Sequence, residues 1–451
     1  MRYLPHTAQE IESMLGSIGV DSVDALFAGI PATHRLQRPL AIEPSLDEAA
    51  LMRHLEDLAK TNAAAEALCF LGGGSYDHHI PPAVDQLLLR SEFYTAYTPY
   101  QAEVSQGTLQ SIFEFQTLVA ELTGLDVANA SMYDGASAAA EAVLMARRVT
   151  GKSRVLLSVA LHPEYIETVR TYLRSLNEGR EDALEFIPAL ANGQVDLEAL
   201  RASLGKDAAA VVIGYPNFWG CVEDLRAVQE VLAGSGALLI SATSQPHALA
   251  LLEAPGRLGA DIAVAEGQAL AVPPQFGGPG VGLLACRETH LRNLPGRLVG
   301  ETVDAAGRRG YVLTLSTREQ HIRRERATSN ICTNHGLIAL AFTMHAAMLG
   351  RHGLREKAML CFSGAEYLKG RLKQLSTLRI PYSAPTFNEF VVELSQGKAS
   401  EAIAKLSQQG LLVGPALSRF AEGGDKRFLI AVTEKHRRED IDRLVDALAA
   451  L

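Results

Sequence analysis

A polar, tyrosine-rich run precedes a helical pattern in the first quarter of the chain. It reads Tyr94-Thr-Ala-Tyr-Thr-Pro-Tyr-Gln-Ala-Glu-Val-Ser-Gln-Gly107. Pro99 stiffens the segment because its ring fixes the backbone, and polar side chains on a stiff loop can be directed into a cleft. A surface loop whose tyrosines cover a subunit interface has the same composition. Composition alone leaves both interpretations open.

A second run, Ser131-Met-Tyr-Asp-Gly-Ala-Ser137, leads into an alanine-rich helical pattern. Small residues at a helix start leave N–H groups accessible, and these groups together with the helix dipole can hold a phosphate. Asp134 and Ser137 are equally ordinary N-capping residues, and this simpler interpretation is favoured.

A third run lies between two apolar strand patterns and reads Ala265-Glu-Gly-Gln-Ala-Leu-Ala-Val-Pro-Pro-Gln-Phe-Gly-Gly-Pro-Gly280. The region resembles pyridoxal-phosphate (PLP) enzymes of the aspartate-aminotransferase fold, which place here the lysine that holds the cofactor as a Schiff base. Gln268 stands at the matching position, and its amide is not a usable nucleophile. No lysine occurs from Asp207 to Glu356. The sequence therefore predicts that this chain binds no PLP of its own.

A second anchor expected of such an enzyme is also missing. The strand pattern Leu238–Ser241 should end near an aspartate that pairs with the pyridine nitrogen of the cofactor. Instead it continues into Ser241-Ala-Thr-Ser-Gln-Pro246, which contains no carboxylate. Two independent anchors are thus absent.

Histidines could suggest a metal site at His78, His79 or His162. Nothing in the sequence supplies a matching set of carboxylates or cysteines, so we predict no metal site. The Gly277-Gly-Pro-Gly280 run is superficially similar to a phosphate loop, but it lacks a following Lys-Ser/Thr and favours a tight turn.

Short apolar strand patterns alternate with helical patterns from about residue 105 onward, which is typical of a largely parallel sheet covered on both faces. The predicted fold class is α/β, with a large parallel-sheet domain and a small C-terminal α/β domain, as in PLP-dependent transferases of fold type I. The predicted domains are an N-terminal helical arm (1–65), a large α/β domain (66–325) and the small domain (326–451). Capping boxes are predicted at Thr7–Glu10 and Ser45–Glu48.

Composition excludes several classes of protein. The 451 residues carry a net charge of -9, with 47% hydrophobic and 21% charged residues, so neither nucleic acid nor a membrane surface is an expected partner. No stretch reaches the about 20 apolar residues of a membrane helix, and the N-terminus lacks the apolar core of a signal peptide. Five widely spaced cysteines fit a reduced compartment, and a cytoplasmic location is predicted.

Taken together, the motifs resemble those of the glycine cleavage system P-proteins, and more narrowly subunit 1, the α subunit of the two-chain bacterial form. The resemblance covers nearly the whole chain. The matching runs are Tyr97–Gly107, Thr123–Ser131, Gly277–Gly280, Arg309–Arg324 and Ala327–Cys332, of which the last two are highly specific.

This resemblance implies a role as one of two homologous fold-type-I subunits, of which only the β subunit keeps the PLP lysine. With that partner, arranged as α2β2, the enzyme removes the glycine carboxylate as CO2. It then passes the aminomethyl group to the lipoyl arm of the H-protein. The resemblance also places the tyrosine-rich loop beside the partner's cofactor. The residues expected to contribute to the pocket in trans are Tyr97, Thr98, Tyr100, Gln101, Glu103 and Ser105.

Two other interpretations compete with this one. A self-sufficient PLP enzyme would require a lysine near Gln268, and the nearest in sequence, Lys206 and Lys357, lie in other predicted elements. A non-catalytic scaffold or regulator could keep the fold without the chemistry. The retained tyrosine-rich loop favours the catalytic partnership, because a pure scaffold would not require it.

Overall fold

The computed structural model describes residues 5–176, 183–420 and 423–451, so the first four residues of the predicted arm lie outside it. The α-helices are α1 (Ala8–Ile18), α2 (Glu48–Lys60), α3 (Pro82–Leu88), α4 (Ser91–Tyr94), α5 (Gln106–Thr123), α6 (Gly135–Thr150), α7 (Pro163–Leu176), α8 (Leu197–Ser203), α9 (Leu225–Leu232), α10 (Gln320–Arg323), α11 (Gly336–Leu372), α12 (Ala399–Gln408) and α13 (Arg438–Ala449). The strands are β1 (Leu68–Leu71), β2 (Val127–Ala128), β3 (Arg154–Ser158), β4 (Leu184–Ile187), β5 (Ala208–Gly214), β6 (Leu238–Thr243), β7 (Ile262–Glu266), β8 (Gly282–Cys286), β9 (Leu298–Val303), β10 (Arg309–Thr314), β11 (Leu378–Arg379), β12 (Glu389–Leu394), β13 (Leu411–Gly414) and β14 (Arg427–Ala431).

The chain divides into two compact units, and the first, which ends at Ala63, contains α1 and α2. Thr7 caps α1 in the predicted box with Glu10. The box predicted at Ser45 was wrong, because Asp47 caps α2 instead. Asp and Ser cap helices about equally well, so the local pattern did not separate them.

The second unit is built on a sheet whose described strands follow the order β2-β8-β7-β6-β5-β3-β4. The strands from β7 to β4 are parallel, whereas β8 is antiparallel to β7 and to β2. β5 is buried along its whole length, as expected for a strand covered on both faces. α6 packs its alanine-rich side into the same core as β3, β5 and β6, where small side chains allow a close approach. The predicted largely parallel sheet is present.

The carboxyl ends of β6 and β7 meet at one edge of this sheet, at Thr243 and Glu266. An isolated bridge between Met132 and Gly282 brings the segment before α6 to the start of β8, and α6 therefore begins beside this edge. In open α/β sheets, ligands bind outside the carboxyl ends of the strands.

The C-terminal third differs in part from the sequence prediction. β11, β12 and β14 form an antiparallel sheet, and α13 packs its buried side chains into the same hydrophobic core. The helix predicted near residues 335–349 is instead the 37-residue α11, which continues beyond a kink at Gly350. The strand predicted at 411–413 is present as β13, but it pairs in parallel with β1, a strand that the sequence analysis missed.

The hairpin of β9 and β10 was also missed, because charged residues such as Glu301 and Arg309 interrupt its apolar pattern. It packs against α5. Among the described residues, no helix is long and apolar enough to cross a membrane.

Candidate functional site

A cavity of about 460 Å³ opens at the carboxyl edge of β6 and β7. Its walls are the loop after β1, the start of α6, the start of α7, the ends of β6 and β7, and the loop that precedes β8. Asp134, from the second run of the sequence, and Gln268, from the third, both line it. Tertiary structure therefore brings the second and third runs of the sequence to one site.

Gln268 lies two residues after the end of β7, at the position predicted for a Schiff-base lysine. Its backbone N–H donates to Oε1 of Glu266 at 2.9 Å, and its side-chain amide donates to the carbonyl oxygen of Val272. The side chain is thus held by its own turn. In the part of the chain that the structure describes, no lysine lines the cavity.

Glu266, the last residue of β7, is a polar cavity group that the sequence analysis missed. Its carboxylate accepts backbone N–H groups from Gly135 at 2.8 Å, Gln268 at 2.9 Å and Val281 at 3.0 Å. Burial raises the pKa of this carboxyl group, and the three donors oppose the rise. An acidic residue that ends a buried apolar strand was the signal that could have identified it.

The end of β6 supplies no carboxylate to the cavity. Ser244 lines it, whereas Gln245 is buried and its amide donates to Nε2 of His78 at 2.9 Å. Nδ1 of His247 lies 3.1 Å from Oε1 of the Gln245 side chain. Neither a Schiff-base lysine nor the aspartate expected at the end of β6 lines the cavity as described. The residues of the cavity therefore do not fit PLP.

The start of α6 agrees with the capping interpretation. The Ser137 N–H donates to Oδ1 of Asp134 at 2.7 Å, and the Asp134 N–H donates to the Ser137 hydroxyl at 3.1 Å. These two residues form a reciprocal capping box. The phosphate interpretation receives no support from them.

The histidines are placed differently from the expectation in one respect. His78 does lie beside a carboxylate and a cysteine, because its Nδ1 donates to Glu434 at 2.6 Å and Sγ of Cys361 is 3.5 Å from the same oxygen. The prediction that no carboxylate or cysteine lies near these histidines was wrong for His78. Glu434 and Cys361 are distant from it in sequence, and only the fold brings them close. Lys357 pairs with the other Glu434 oxygen at 3.1 Å. The cluster is therefore built as an ion-pair network.

The charges in this network also oppose a metal ion. Although burial acts against it, the hydrogen bond from His78 and the charge of Lys357 hold the pKa of Glu434 well below its ordinary value. The ammonium group of Lys357 already neutralises the carboxylate that a cation would need.

The tyrosine-rich loop lies apart from the cavity lining. Tyr97 is 89% exposed and Tyr100 is 71% exposed, while Pro99 between them is buried. The guanidinium of Arg297 lies 5.8 Å from the centre of the Tyr100 ring. Gln106 fixes the end of the loop, because its side chain exchanges two hydrogen bonds of 2.9 Å with the backbone of Tyr311 in β10.

The other predicted loop residues share this surface position. Gln101 and Glu103 are exposed, and Thr98 and Ser105 are partly exposed. None of the six predicted residues lines the cavity described above. Any contribution that they make to a pocket is therefore made outside this cavity.

Comparisons with known proteins identify the family. The model of the glycine cleavage system P-protein family matches residues 1–448. A relative from Sorangium cellulosum (strain So ce56), named probable glycine dehydrogenase (decarboxylating) subunit 1, is 59% identical over 451 residues, which is 100% of this chain and 99% of that protein.

Solved structures agree on the fold. A glycine decarboxylase (P-protein) of the glycine cleavage system, in inhibitor-bound form, superposes with a TM-score of 0.89 at 43% identity, covering 100% of both chains. A C-DES mutant with glycine covalently linked to its PLP cofactor superposes with a TM-score of 0.63 at 18% identity, over 85% of this chain and 97% of that one. The predicted PLP-dependent transferase fold type I is confirmed. The chain belongs to the glycine cleavage system P-protein family.

Proposed function

We propose that this chain is the α subunit of a decarboxylating glycine dehydrogenase and completes the active site of a β subunit that carries PLP. The pair removes the carboxylate of glycine as CO2 and transfers the aminomethyl group to the lipoyl arm of the H-protein. The observation that carries the proposal is Gln268, whose amide is held by Val272 where a Schiff-base lysine is required. The name "subunit 1" of the 59% identical relative supports a two-chain enzyme.

In this proposal the β subunit carries out the decarboxylation of glycine. PLP, when bound there, supplies the electron sink for decarboxylation. The contribution of this chain is to position groups around the partner's pocket, through the exposed loop that contains Tyr97, Thr98, Tyr100, Gln101, Glu103 and Ser105. Exposed aromatic side chains on a fixed backbone suit this task, because ordering them on association costs little conformational entropy.

A self-sufficient PLP enzyme is not supported. Lys357 is buried on α11, where its ammonium group donates to the carbonyl oxygen of His79 at 2.8 Å and pairs with Glu434. Lys206 is exposed in the turn before β5. Neither residue lines the cavity.

The proposal is tested by glycine-dependent CO2 exchange with PLP and lipoylated H-protein. The assay compares this chain alone, a β subunit alone, and the two mixed. We expect exchange only in the mixture, with the absorbance of bound PLP following the β subunit. Exchange by this chain alone would overturn the argument from Gln268, and full exchange by the β subunit alone would make this chain a scaffold.

The α2β2 stoichiometry, the domain limits at residues 65 and 325, and a cytoplasmic location stay predictions. Light scattering of the mixed subunits tests the stoichiometry, and limited proteolysis tests the domain limits.

A further inference from the structure

The start of α6 is the part of the cavity best suited to an anion. Free N–H groups at a helix N-terminus and the helix dipole both attract negative charge. Here two of these groups are already in use, since the Ser137 N–H donates to Asp134 at 2.7 Å and the Gly135 N–H donates to Glu266 at 2.8 Å. Two carboxylates of the chain therefore stand where an anion would bind.

Glu266 is held in the way that a bound anion is held. Oε2 accepts from Gly135, while Oε1 accepts from Gln268 at 2.9 Å and from Val281 at 3.0 Å. The donors come from α6, from the turn after β7 and from the residue before β8. Because all three are backbone groups, the fold itself fixes them around the carboxylate.

The packing at Gly135 leaves no room for a further group on this side of Glu266. A Cβ atom on Gly135 would lie 2.0 Å from the Tyr165 hydroxyl oxygen and 2.9 Å from the backbone nitrogen of Glu266. The first turn of α6 thus packs directly on the end of β7, with the buried Tyr165 ring against it. Only replacement of the carboxylate would open this position.

We infer that Glu266 is a built-in anion that occupies the phosphate position at the start of α6 and makes the cavity reject phosphate-bearing ligands, PLP among them. A phosphate brought here would find the N–H groups of Gly135 and Ser137 already bonded to carboxylates and would be repelled by the like charge of Glu266 and Asp134. Without a lysine the cavity cannot bind PLP covalently, and with Glu266 in place it cannot bind the phosphate group of PLP non-covalently. The inference goes beyond the proposed function, because it holds whether or not a partner subunit binds.

The first test uses the unaltered full chain and two ligands that differ only in the phosphate. Isothermal titration calorimetry compares pyridoxine with pyridoxine 5′-phosphate, neither of which has an aldehyde to react with surface lysines. We expect the phosphate to give no gain in affinity. A phosphorylated ligand that binds ten-fold tighter or better would overturn the inference.

The second test removes the carboxylate. Glu266→Ala leaves three backbone N–H groups facing a void, and inorganic phosphate should fill it. We expect about 10 mM phosphate to raise the melting temperature of this variant by about 3 °C and to leave that of the unaltered chain unchanged. A saturable broadening of the phosphate signal in 31P NMR should accompany the rise, and adding Asp134→Asn should increase both effects.

Glu223→Ala is the matched control. Glu223 is also buried and accepts from the Val195 N–H at 2.9 Å and from the Asn217 side chain at 2.7 Å, but it borders no helix start at this cavity. We expect phosphate not to rescue it. A folded Glu266→Ala chain that shows no response to phosphate would contradict the inference, as would equal rescue of Glu223→Ala. Should the alanine variant fail to fold, Glu266→Ser is measured in the same way, and the comparison of the two pyridoxine ligands decides if both variants fail.

Discussion

The polar groups of the cavity at the edge of the large sheet are bonded within the chain, whereas those of the tyrosine-rich loop are exposed. In the cavity, Glu266 and Gln268 are hydrogen-bonded to the backbone of their own chain. On the loop, Tyr97 and Tyr100 are 89% and 71% exposed on a segment fixed by Gln106. The polar groups of the cavity therefore stabilise the cavity itself. The groups available to another molecule lie on the loop.

The comparison predicts that changes in the cavity affect stability and that changes on the loop affect turnover. The largest expected effect is that of Glu266→Ala, which leaves three partly buried N–H groups without their acceptor and should lower the free energy of unfolding by about 4 kcal/mol. Urea denaturation measures it. The exposed Glu167→Ala serves as the control and should change the free energy of unfolding by less than about 0.5 kcal/mol.

Glu389, which is bonded to the wall of the cavity, should also make the free energy of unfolding depend on pH. Glu389 accepts from the N–H of Gly73, a lining residue, and burial raises the pKa of its carboxyl group from 4.5 to about 7. Between these values the folded chain keeps a proton that the unfolded chain has released. The stabilisation from this group is therefore complete below pH 4.5 and falls by about 3 kcal/mol as the pH rises to 7.

Urea denaturation at several pH values tests this expectation against Glu389→Gln, which cannot titrate and should show a flatter profile. An identical slope for the two chains would show that Glu389 is not the responsible group.

On the loop, replacing Tyr97 and Tyr100 together by alanine should lower turnover of the mixed subunits about 30-fold, which corresponds to about 2 kcal/mol, the loss expected for aromatic anchors. The free energy of unfolding should change by less than about 0.5 kcal/mol. The single changes Tyr97→Phe and Tyr100→Phe separate the hydroxyl groups from the rings. If neither they nor the double alanine change affects the kinetics, the loop does not serve the partner's pocket.

The smallest effect is expected for Gln268→Ala. The change removes one hydrogen bond to Val272 and should lower the free energy of unfolding by about 1 kcal/mol. Turnover of the mixed subunits should stay within about two-fold of the unaltered enzyme, because no chemistry is assigned to this side chain. Loss of turnover in a folded variant would show that this cavity takes part in catalysis, and it would contradict the predicted difference between the cavity and the loop.

Much of the large sheet was predictable, because its signals are local. The continuous apolar runs of β5, β6 and β7 mark strands that are buried on both faces, and Thr7 with Glu10 marks a helix start within four residues. Gln268 could be placed because it follows a strand pattern and precedes a glycine-rich turn. The resemblance to PLP enzymes of this fold then supplied the role predicted for that position.

Other features depend on residues that only the fold brings together. β1 pairs with β13 across more than 300 residues, as Leu68 lies opposite Leu411, and no local pattern specifies such a partner. His78 likewise meets Glu434, and an isolated histidine in a loop gives no sign of its carboxylate.

Residue types along short segments were enough to predict β5, β6 and β7 and to show that no lysine occurs from Asp207 to Glu356. The surroundings of the cavity became visible only in the folded chain. The tertiary structure placed the carboxylate of Glu266 among N–H groups from three separate segments and left Tyr97 and Tyr100 exposed. The physical reason is that hydrogen bonds and burial depend on distances in space, which sequence separation does not set.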